Sequence, residues 1–215
     1  MPEAWARLES LLQHLLPDSR IRVVHDARLV LAAAGLKWGI ALIAGTGSVA
    51  YGRTPDGSEA QRGGWGWMIG DEGSGVWITR EAARVVMARV ENNAPIGVLG
   101  AAMLKATNTD DAREMVRDLH SRREPRRWAE LASIVFEAAS HDQGARDIVR
   151  RGGAELAHLV DRLEIEGPVV LAGGLLLHQP ALERAVRDAL KRDCIRLELP
   201  PVEGAVRLAQ ELLRA

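Results

Sequence analysis

The sequence predicts an α/β protein in which helices pack against one mixed β-sheet. Three observations support this class. Strand candidates come in quick succession early in the chain, a long helical stretch follows, and strands then alternate with helices to the end. Since helices and sheets each bury an apolar face against another element, this order is typical of a layered architecture with a partly antiparallel, partly parallel sheet.

Composition limits the class of protein. The 215 residues include 28 Lys+Arg and 29 Asp+Glu, and 47% are hydrophobic. This balance argues against disorder and against a globally basic nucleic-acid binder. The single cysteine, Cys194, excludes a disulfide scaffold and a cysteine-ligated metal site within one chain. No stretch approaches the roughly 20 apolar residues of a membrane span, and the N-terminus lacks a signal-peptide layout, so we expect a cytoplasmic protein without a membrane partner.

The N-terminal segment is predicted to contain a helix, a strand and a second helix. Apolar residues at helical spacing predict a helix over residues 3–16. The β-branched run Ile21–Val24 predicts a short strand. Asp26 then lies where a helix cap belongs, ahead of a helix over 27–34 that Gly35 ends.

A three-stranded meander is predicted next. Its strands are Gly39–Ala44, Val49–Thr54 and Glu59–Arg62. The linker Pro55–Ser58 is a strong turn signal, because proline presets φ and glycine accepts a positive φ.

Helices are predicted to dominate from residue 75 to residue 163. The candidates are Val76–Val90, Pro95–Lys105, Asp110–His120, Pro125–Ala139 and Gln143–Leu163. The pair Gly152-Gly153 leaves the continuity of the last helix open. The remaining elements alternate: strand Val169–Ala172, helix Pro180–Lys191, strand Ile195–Leu197 and helix Glu203–Arg214.

Two glycine-rich segments in the first half of the chain could bind a ligand. Gly45-Thr46-Gly47-Ser48 joins two strands, and it reads either as a plain hairpin turn or as an anion nest to which Thr46 and Ser48 add hydroxyls. The run Gly63–Ser74 is dense in glycine, which is costly to order and is kept where the backbone approaches something closely. Asp71 or Ser74 in this run could instead be a helix cap.

Two further motifs lie at the ends of strand candidates. Val169–Ala172 runs into Gly173-Gly174, and ligands bind beyond the carboxyl ends of strands in open α/β sheets, although such strand-to-helix turns are also common without a ligand. At His25-Asp26, the carboxylate is either a general base towards a hydroxyl or a helix cap. The histidines share no metal-ligand spacing, so no metal site is predicted.

Taken together, these motifs resemble the BadF/BadG-type ATPase family, and within it the N-acetylglucosamine and glucosamine kinases. The resemblance is carried by three stretches: Ala44–Ser48, Pro55–Ser58, and Gly63-Gly64-Trp65-Gly66 followed by Gly70-Asp71-Glu72-Gly73-Ser74. It covers roughly residues 20–213. It implies the actin-like, ribonuclease-H-like fold, with ATP as the phosphoryl donor, Mg²⁺ carried by the nucleotide and an amino sugar as the acceptor.

The resemblance also implies roles for individual residues. Asp26 matches the catalytic base that deprotonates the sugar 6-hydroxyl. Ser48, Val49, Gly64, Trp65, Gly66 and Asp71 match sugar-pocket positions. Gly45, Thr46 and Gly47 match the second phosphate loop, and Gly173 and Gly174 fall in the adenosine motif. The eukaryotic kinase has asparagine where Val49 stands, so glucosamine or another sugar remains open.

The first phosphate loop of the family has no counterpart among the 44 residues before Gly45. We therefore expect residues 1–36 to be a remnant of the first lobe, and residues 37–215 to be the C-terminal lobe with a helical insertion at about 91–163. Phosphoryl transfer depends on positioning and charge neutralisation. Three alternatives follow: an incomplete kinase completed by a homodimer or a partner chain, a non-catalytic sugar-binding or regulatory remnant, or the ATPase activator of a dehydratase. The activators hold a cluster with cysteines, which Cys194 alone does not provide.

Overall fold

The computed structural model describes residues 2–214 and contains the expected mixed sheet. Its strands are β1 (Gly39–Ala44), β2 (Ser48–Arg53), β3 (Glu59–Gly63), β4 (Val169–Ala172) and β5 (Cys194–Arg196). Their order in the sheet is β3-β2-β1-β4-β5. The first three strands form an antiparallel meander, β4 runs parallel to β1, and β5 runs parallel to β4.

Eleven helices accompany the sheet within the described residues. They are α1 (Pro2–Leu15), α2 (Asp26–Ala33), α3 (Gly75–Glu91), α4 (Gly97–Thr107), α5 (Ala112–Ser121), α6 (Pro125–Ala129), α7 (Ala132–Ala138), α8 (Gln143–Asp161), α9 (Gly174–His178), α10 (Pro180–Leu190) and α11 (Pro201–Arg214). None of them is long and apolar enough to cross a bilayer.

The sheet separates two apolar cores. Successive side chains of a strand point to opposite faces, so Ala41 and Val170 join the core beneath α2, whereas Ile40 and Leu42 join the larger core that the helices from α3 to α10 build. Helix α11 lies against α2 so closely that a Cβ on Gly204 would stand 2.0 Å from the Leu29 carbonyl oxygen. The elements thus form layers around one sheet, as the order of the sequence predicts.

Three predicted elements differ from the structure. Ile21–Val24 forms no strand, because a β-branched segment also needs a hydrogen-bonded neighbour and none of the described strands pairs with it. The helix expected over Pro125–Ala139 is two helices, since Leu131 and Ile134 donate to carbonyls three residues back and tighten the turn between α6 and α7. The short helix α9 was not predicted.

Helix α8 is continuous through its two glycines, which meet different surroundings. A Cβ on Gly153 would lie 2.5 Å from the Cβ of Ala185 in α10, whereas a Cβ on Gly152 would meet its nearest atom, in the Trp77 ring, at 3.5 Å. Gly153 therefore permits the close approach of α8 and α10, and Gly152 tolerates a methyl group.

Alanine substitutions at these two positions are expected to have opposite effects on stability. We expect Gly153→Ala to lower the free energy of unfolding by about 1–3 kcal/mol because the helices must separate. Gly152→Ala should raise it by about 0.5–1 kcal/mol, since alanine costs less backbone entropy in a helix. Urea unfolding of both variants measures the difference, and equal effects at the two positions would contradict this account of the α8–α10 contact.

Candidate functional site

One edge of the sheet collects the glycine turns that the sequence singles out. Ala44 pairs with Ser48, Val49 pairs with Gly63, and Ile43 pairs with Ala172. These registers place the carboxyl ends of β1, β3 and β4 side by side. The turns that follow these strands therefore open onto the same end of the molecule, where ligands bind in open α/β folds.

The turn between β1 and β2 is fixed from within and from α3. Gly45 N–H donates to the Gly47 carbonyl at 2.9 Å, and Gly75 N–H at the start of α3 donates to the Gly45 carbonyl at 2.9 Å. The Ser48 hydroxyl donates to the Glu72 carbonyl at 2.7 Å. The expected nest is thus partly closed by its own hydrogen bonds, and the Thr46 hydroxyl makes no hydrogen bond to the residues that the structure describes.

A cleft of about 420 Å³ opens between this turn and the turn after β4. Gly45, Thr46 and Gly174 line it together. Gly173 has φ +91°, and a Cβ there would lie 2.3 Å from the Ala44 carbonyl oxygen, so only glycine allows the two turns to approach. The structure thus brings together the two motifs that the sequence could relate only by resemblance.

The opposite wall of the cleft comes from residues that the sequence did not single out. They are Arg126, Ala129, Glu130, Ser133, Leu175 and Gln179. Arg126 supplies a cation, and Ser133 and Gln179 supply neutral polar groups. Backbone turns, a cation and neutral polar groups fit an anionic nucleotide. In one sequence this wall carries no signal, because about 80 residues separate α6 from the turn after β1.

Asp71 lies on the other side of the β1–β2 turn and is buried. A Cβ on Gly47 would stand 2.6 Å from an oxygen of the Asp71 carboxylate. That carboxylate accepts hydrogen bonds from the backbone N–H groups of Ser48 and Gly66, while burial raises its pKa above the ordinary value of 3.8. Ser74, rather than Asp71, caps α3 by accepting from Trp77 N–H, so the capping alternative does not explain the aspartate.

The glycine-rich loop after β3 presents its backbone and apolar side chains outward. Gly64 and Gly66 adopt left-handed φ values of +71° and +87°. The Trp65 side chain is 77% exposed. A Cβ on Gly64 would lie 3.4 Å from a methyl group of Val49, so these two predicted sugar-pocket positions are neighbours. A flat sugar ring could approach such a loop without meeting side chains at the two glycines.

Asp26 begins α2, and its carboxylate is 91% exposed. The helix cap is His25, whose Nδ1 accepts from Ala27 N–H at 3.1 Å, so the prediction of Asp26 as the cap is wrong. His25 Nε2 lies 2.8 Å from Oε1 of Gln61 in β3. The Gln61 amide nitrogen would in turn be 2.9 Å from a Cβ on Gly64. The end of α2 that carries Asp26 thus reaches the glycine-rich loop through two contacts.

A second cavity, of about 360 Å³, lies at the opposite end of α2. Arg28, Lys37, Arg53 and Arg207 are among its lining residues. Arg207 donates to the carbonyls of Ala32 and Ala33, and Arg53 donates to the Lys37 carbonyl. At least these two arginines therefore satisfy a helix end and a loop, so this cavity is not the candidate site.

The raised pKa of Asp71 predicts how its loss changes stability with pH. A carboxyl group whose pKa is higher in the folded state favours folding most when it is protonated, and this contribution falls as the pH rises through the folded pKa. We expect Asp71→Asn to gain stability relative to the unchanged protein as the pH rises from 3 to 7. Asparagine tolerates the left-handed φ of +60° at this position. Denaturant unfolding at several pH values measures the change, and a difference that shrinks with rising pH would contradict the assignment.

Comparison with known proteins places this site in a family. The sequence profile described as the BadF/BadG/BcrA/BcrD ATPase family matches residues 5–209. An N-acetylmuramic acid/N-acetylglucosamine kinase of Clostridium acetobutylicum is 43% identical over 81 residues, which are 37% of this chain and 26% of that protein. An N-acetyl-D-glucosamine kinase of Dictyostelium discoideum is 25% identical over 137 residues, which are 61% of this chain and 43% of that protein.

A solved structure gives the likeness in three dimensions. The crystal structure of a candidate N-acetylglucosamine kinase from Chromobacterium violaceum superposes with a TM-score of 0.76 and 30% identity, over 89% of this chain and 66% of that one. The likeness confirms the ribonuclease-H-like, actin-like ATPase fold. The chain matches less than half the length of the two curated relatives and about two thirds of the solved one.

Proposed function

We propose, from the premise that the chain belongs to the BadF/BadG/BcrA/BcrD ATPase family, that it forms the sugar- and nucleotide-binding lobe of an ATP-dependent amino-sugar kinase. The acceptor in this proposal is the 6-hydroxyl of N-acetylglucosamine or glucosamine. The names of the two curated relatives and of the solved structure support a kinase that acts on a sugar of this class.

One observation carries the proposal: the β1–β2 turn is shared by two binding surfaces. On one side, Gly45 and Thr46 line the polar cleft together with Gly174. On the other side, Gly47 touches the buried Asp71 carboxylate beneath the glycine-rich loop. A phosphoryl donor in the cleft and a sugar on the loop would therefore be held by consecutive residues. This is the proximity that phosphoryl transfer requires.

Asp26 is the proposed general base. Its exposed carboxylate would accept the proton of the sugar 6-hydroxyl while the hydroxyl oxygen forms a bond to the γ-phosphorus. The bond between that phosphorus and the β,γ-bridging oxygen breaks, and ADP leaves. A carboxylate suits this task when it lies within hydrogen-bond reach of the hydroxyl. Asp71 would accept hydrogen bonds from other sugar hydroxyls, and Trp65 would cover a face of the ring.

ATP and Mg²⁺ fit this chain to different degrees. The cleft residues Gly45, Thr46, Gly174, Arg126 and Gln179 would hold the nucleotide, which supplies the phosphoryl group. Among the residues that the structure describes, no cluster of three His, Cys, Asp or Glu side chains could hold a metal ion. Mg²⁺ is therefore assigned to the nucleotide phosphates and not to a protein cage.

The proposal includes a role for a second lobe. The resemblance leaves the first phosphate loop without a counterpart, so a homodimer or a partner chain would supply that loop if this lobe is to turn over. Light scattering at several concentrations tests the homodimer, and a monomer at all concentrations would leave a separate partner chain as the supplier.

Titration calorimetry with N-acetylglucosamine, glucosamine and a non-hydrolysable ATP analogue tests the proposed function. We expect one of the sugars and the ATP analogue both to bind. Gly174→Val should abolish nucleotide binding and spare sugar binding, because a Cβ at Gly174 has open space but larger groups fill the cleft. Asp71→Asn should do the reverse. Sugar binding without nucleotide binding would favour a non-catalytic sugar-binding module, and binding of neither ligand would overturn the proposal.

A further inference from the structure

The side chain of His25 is held on several sides at the end of α2 that carries Asp26. Its ring stacks on Tyr51 of β2 with the centroids 5.0 Å apart and an interplanar angle of 18°. Trp5 of α1 meets the ring edge-on at 6.0 Å. Only 16% of the His25 side chain is exposed. A ring fixed in this way points its two nitrogens in set directions.

Each ring nitrogen has a defined neighbour. Nδ1 accepts from Ala27 N–H at 3.1 Å and lies 2.9 Å from Asp26 Oδ1, which accepts from the same N–H at 2.8 Å. Nε2 faces Gln61 Oε1 at 2.8 Å. The Gln61 amide nitrogen donates to the Gly63 carbonyl at 3.3 Å, so its oxygen is the acceptor for His25 and Nε2 carries the hydrogen.

These contacts form a continuous connection from the proposed base to the proposed sugar loop. The connection runs from Asp26 through His25 and Gln61 to Gly63, where the loop leaves β3. Gln61 also lies against Gly64, as its 2.9 Å approach to a Cβ there indicates. Apart from the peptide bond between Asp26 and His25, it consists of side-chain contacts between elements more than 30 residues apart in sequence.

We infer that His25 and Gln61 are positioning residues that set the distance and orientation between Asp26 and the Gly63–Gly64 bend. The inference rests on the proposed function, since it assigns these residues to the same sugar site. Neither residue needs to touch the sugar. A ligand that contacts the bend with its ring and Asp26 with its 6-hydroxyl would bind best when the two contacts keep a fixed separation.

The 6-hydroxyl itself provides the test. We compare the dissociation constants of N-acetylglucosamine and of its 6-deoxy analogue by calorimetry on the full chain. The unchanged protein should bind the 6-deoxy sugar about tenfold more weakly, the effect of one hydrogen bond to a charged group. His25→Asn and Gln61→Leu should each bring this ratio close to one, and the double variant should bring it no further, because both remove the same connection.

Two control variants separate positioning from simple stability. An asparagine at position 25 can still cap α2, whereas His25→Ala removes the cap as well. Both should reduce the ratio equally, but only the alanine variant should also lower the melting temperature. Gln13→Leu removes hydrogen bonds from a glutamine amide to backbone carbonyls that end α1, so it should leave the ratio unchanged.

The outcomes separate this inference from the proposed function. If the unchanged protein binds neither sugar, or binds both equally, the proposed sugar site fails and the inference fails with it. If the unchanged protein discriminates but His25→Asn and Gln61→Leu keep the full ratio, the inference alone is overturned. Additive losses in the double variant would also overturn it, because independent effects would mean that the two residues do not act through one connection.

Discussion

Replacing Asp26 by asparagine is expected to lower turnover by about 10²–10⁴-fold and to leave sugar affinity within a few-fold of its original value. Asparagine has the same shape as aspartate and can still meet a hydroxyl, but it cannot accept the proton. The exposed carboxylate makes one hydrogen bond within the described residues, from Ala27 N–H, and an asparagine oxygen can accept the same bond. The substitution therefore removes basicity without removing support for α2.

The measurement combines ADP release at saturating sugar and ATP with calorimetry for the sugar, on the chain together with whatever supplies its first lobe. Asp188→Asn, on the exposed side of α10, is the matched control and should leave both quantities unchanged. Undiminished turnover in Asp26→Asn would refute the base assignment. A loss of sugar affinity that accounts for the whole loss of activity would make Asp26 a binding residue instead.

The sequence predicts the sheet of this protein well because its signals are local. The strand β1 follows Gly39 and precedes Gly45, so its apolar run has marked ends, and the turn at Pro55–Ser58 fixes the register of β2 and β3. By contrast, the extended run Ile21–Val24 looks like a strand in isolation. Strand formation depends on a neighbouring strand, and a local pattern carries no information about that neighbour.

The candidate site is predictable only where its residues also shape the backbone. Gly45, Gly64 and Gly173 stand out because turns and close approaches need glycine, and the resemblance then gives them roles. Gln61 and Arg126 are ordinary polar residues on a strand and a helix. They enter the site because the fold brings β3 to α2 and α6 to the β1–β2 turn, and no spacing in the sequence encodes those approaches.

Asp142 illustrates the same limit for stability. In the sequence it is one aspartate before a helix, but in the structure its side chain is 4% exposed and faces Arg89 of α3. Two guanidinium nitrogens donate to its two oxygens at 2.7 and 2.8 Å. Leu99 N–H and Ala145 N–H also donate to it, so one carboxylate joins α3, α4 and α8. These bonds hold the pKa of Asp142 well below its ordinary value, with the Arg89 hydrogen bonds as the largest cause.

Asp142→Asn is expected to lower the free energy of unfolding at pH 7 by about 2–4 kcal/mol, at or below the usual cost of losing one partner of a buried ion pair. The lower part of that range is included because 22% of the Arg89 side chain is exposed and solvent stabilises the unpaired charge. Asparagine can still accept from Ala145 N–H and cap α8. The loss therefore reports on the ion pair and its bridge to α4. Urea unfolding monitored by tryptophan fluorescence measures it.

Asp111 provides the matched control, since it also caps a helix but lies exposed at the start of α5. Asp111→Asn should cost less than about 1 kcal/mol, because asparagine is as good a cap as aspartate. The pH dependence gives a second check. A carboxyl group with a lowered folded pKa stabilises the fold above its unfolded pKa and loses that contribution as the pH falls. The deficit of Asp142→Asn should therefore narrow below about pH 4, where the unfolded carboxyl group protonates. A deficit that stays constant from pH 7 to pH 3 would mean that lost packing, and not lost charge, destabilises the variant.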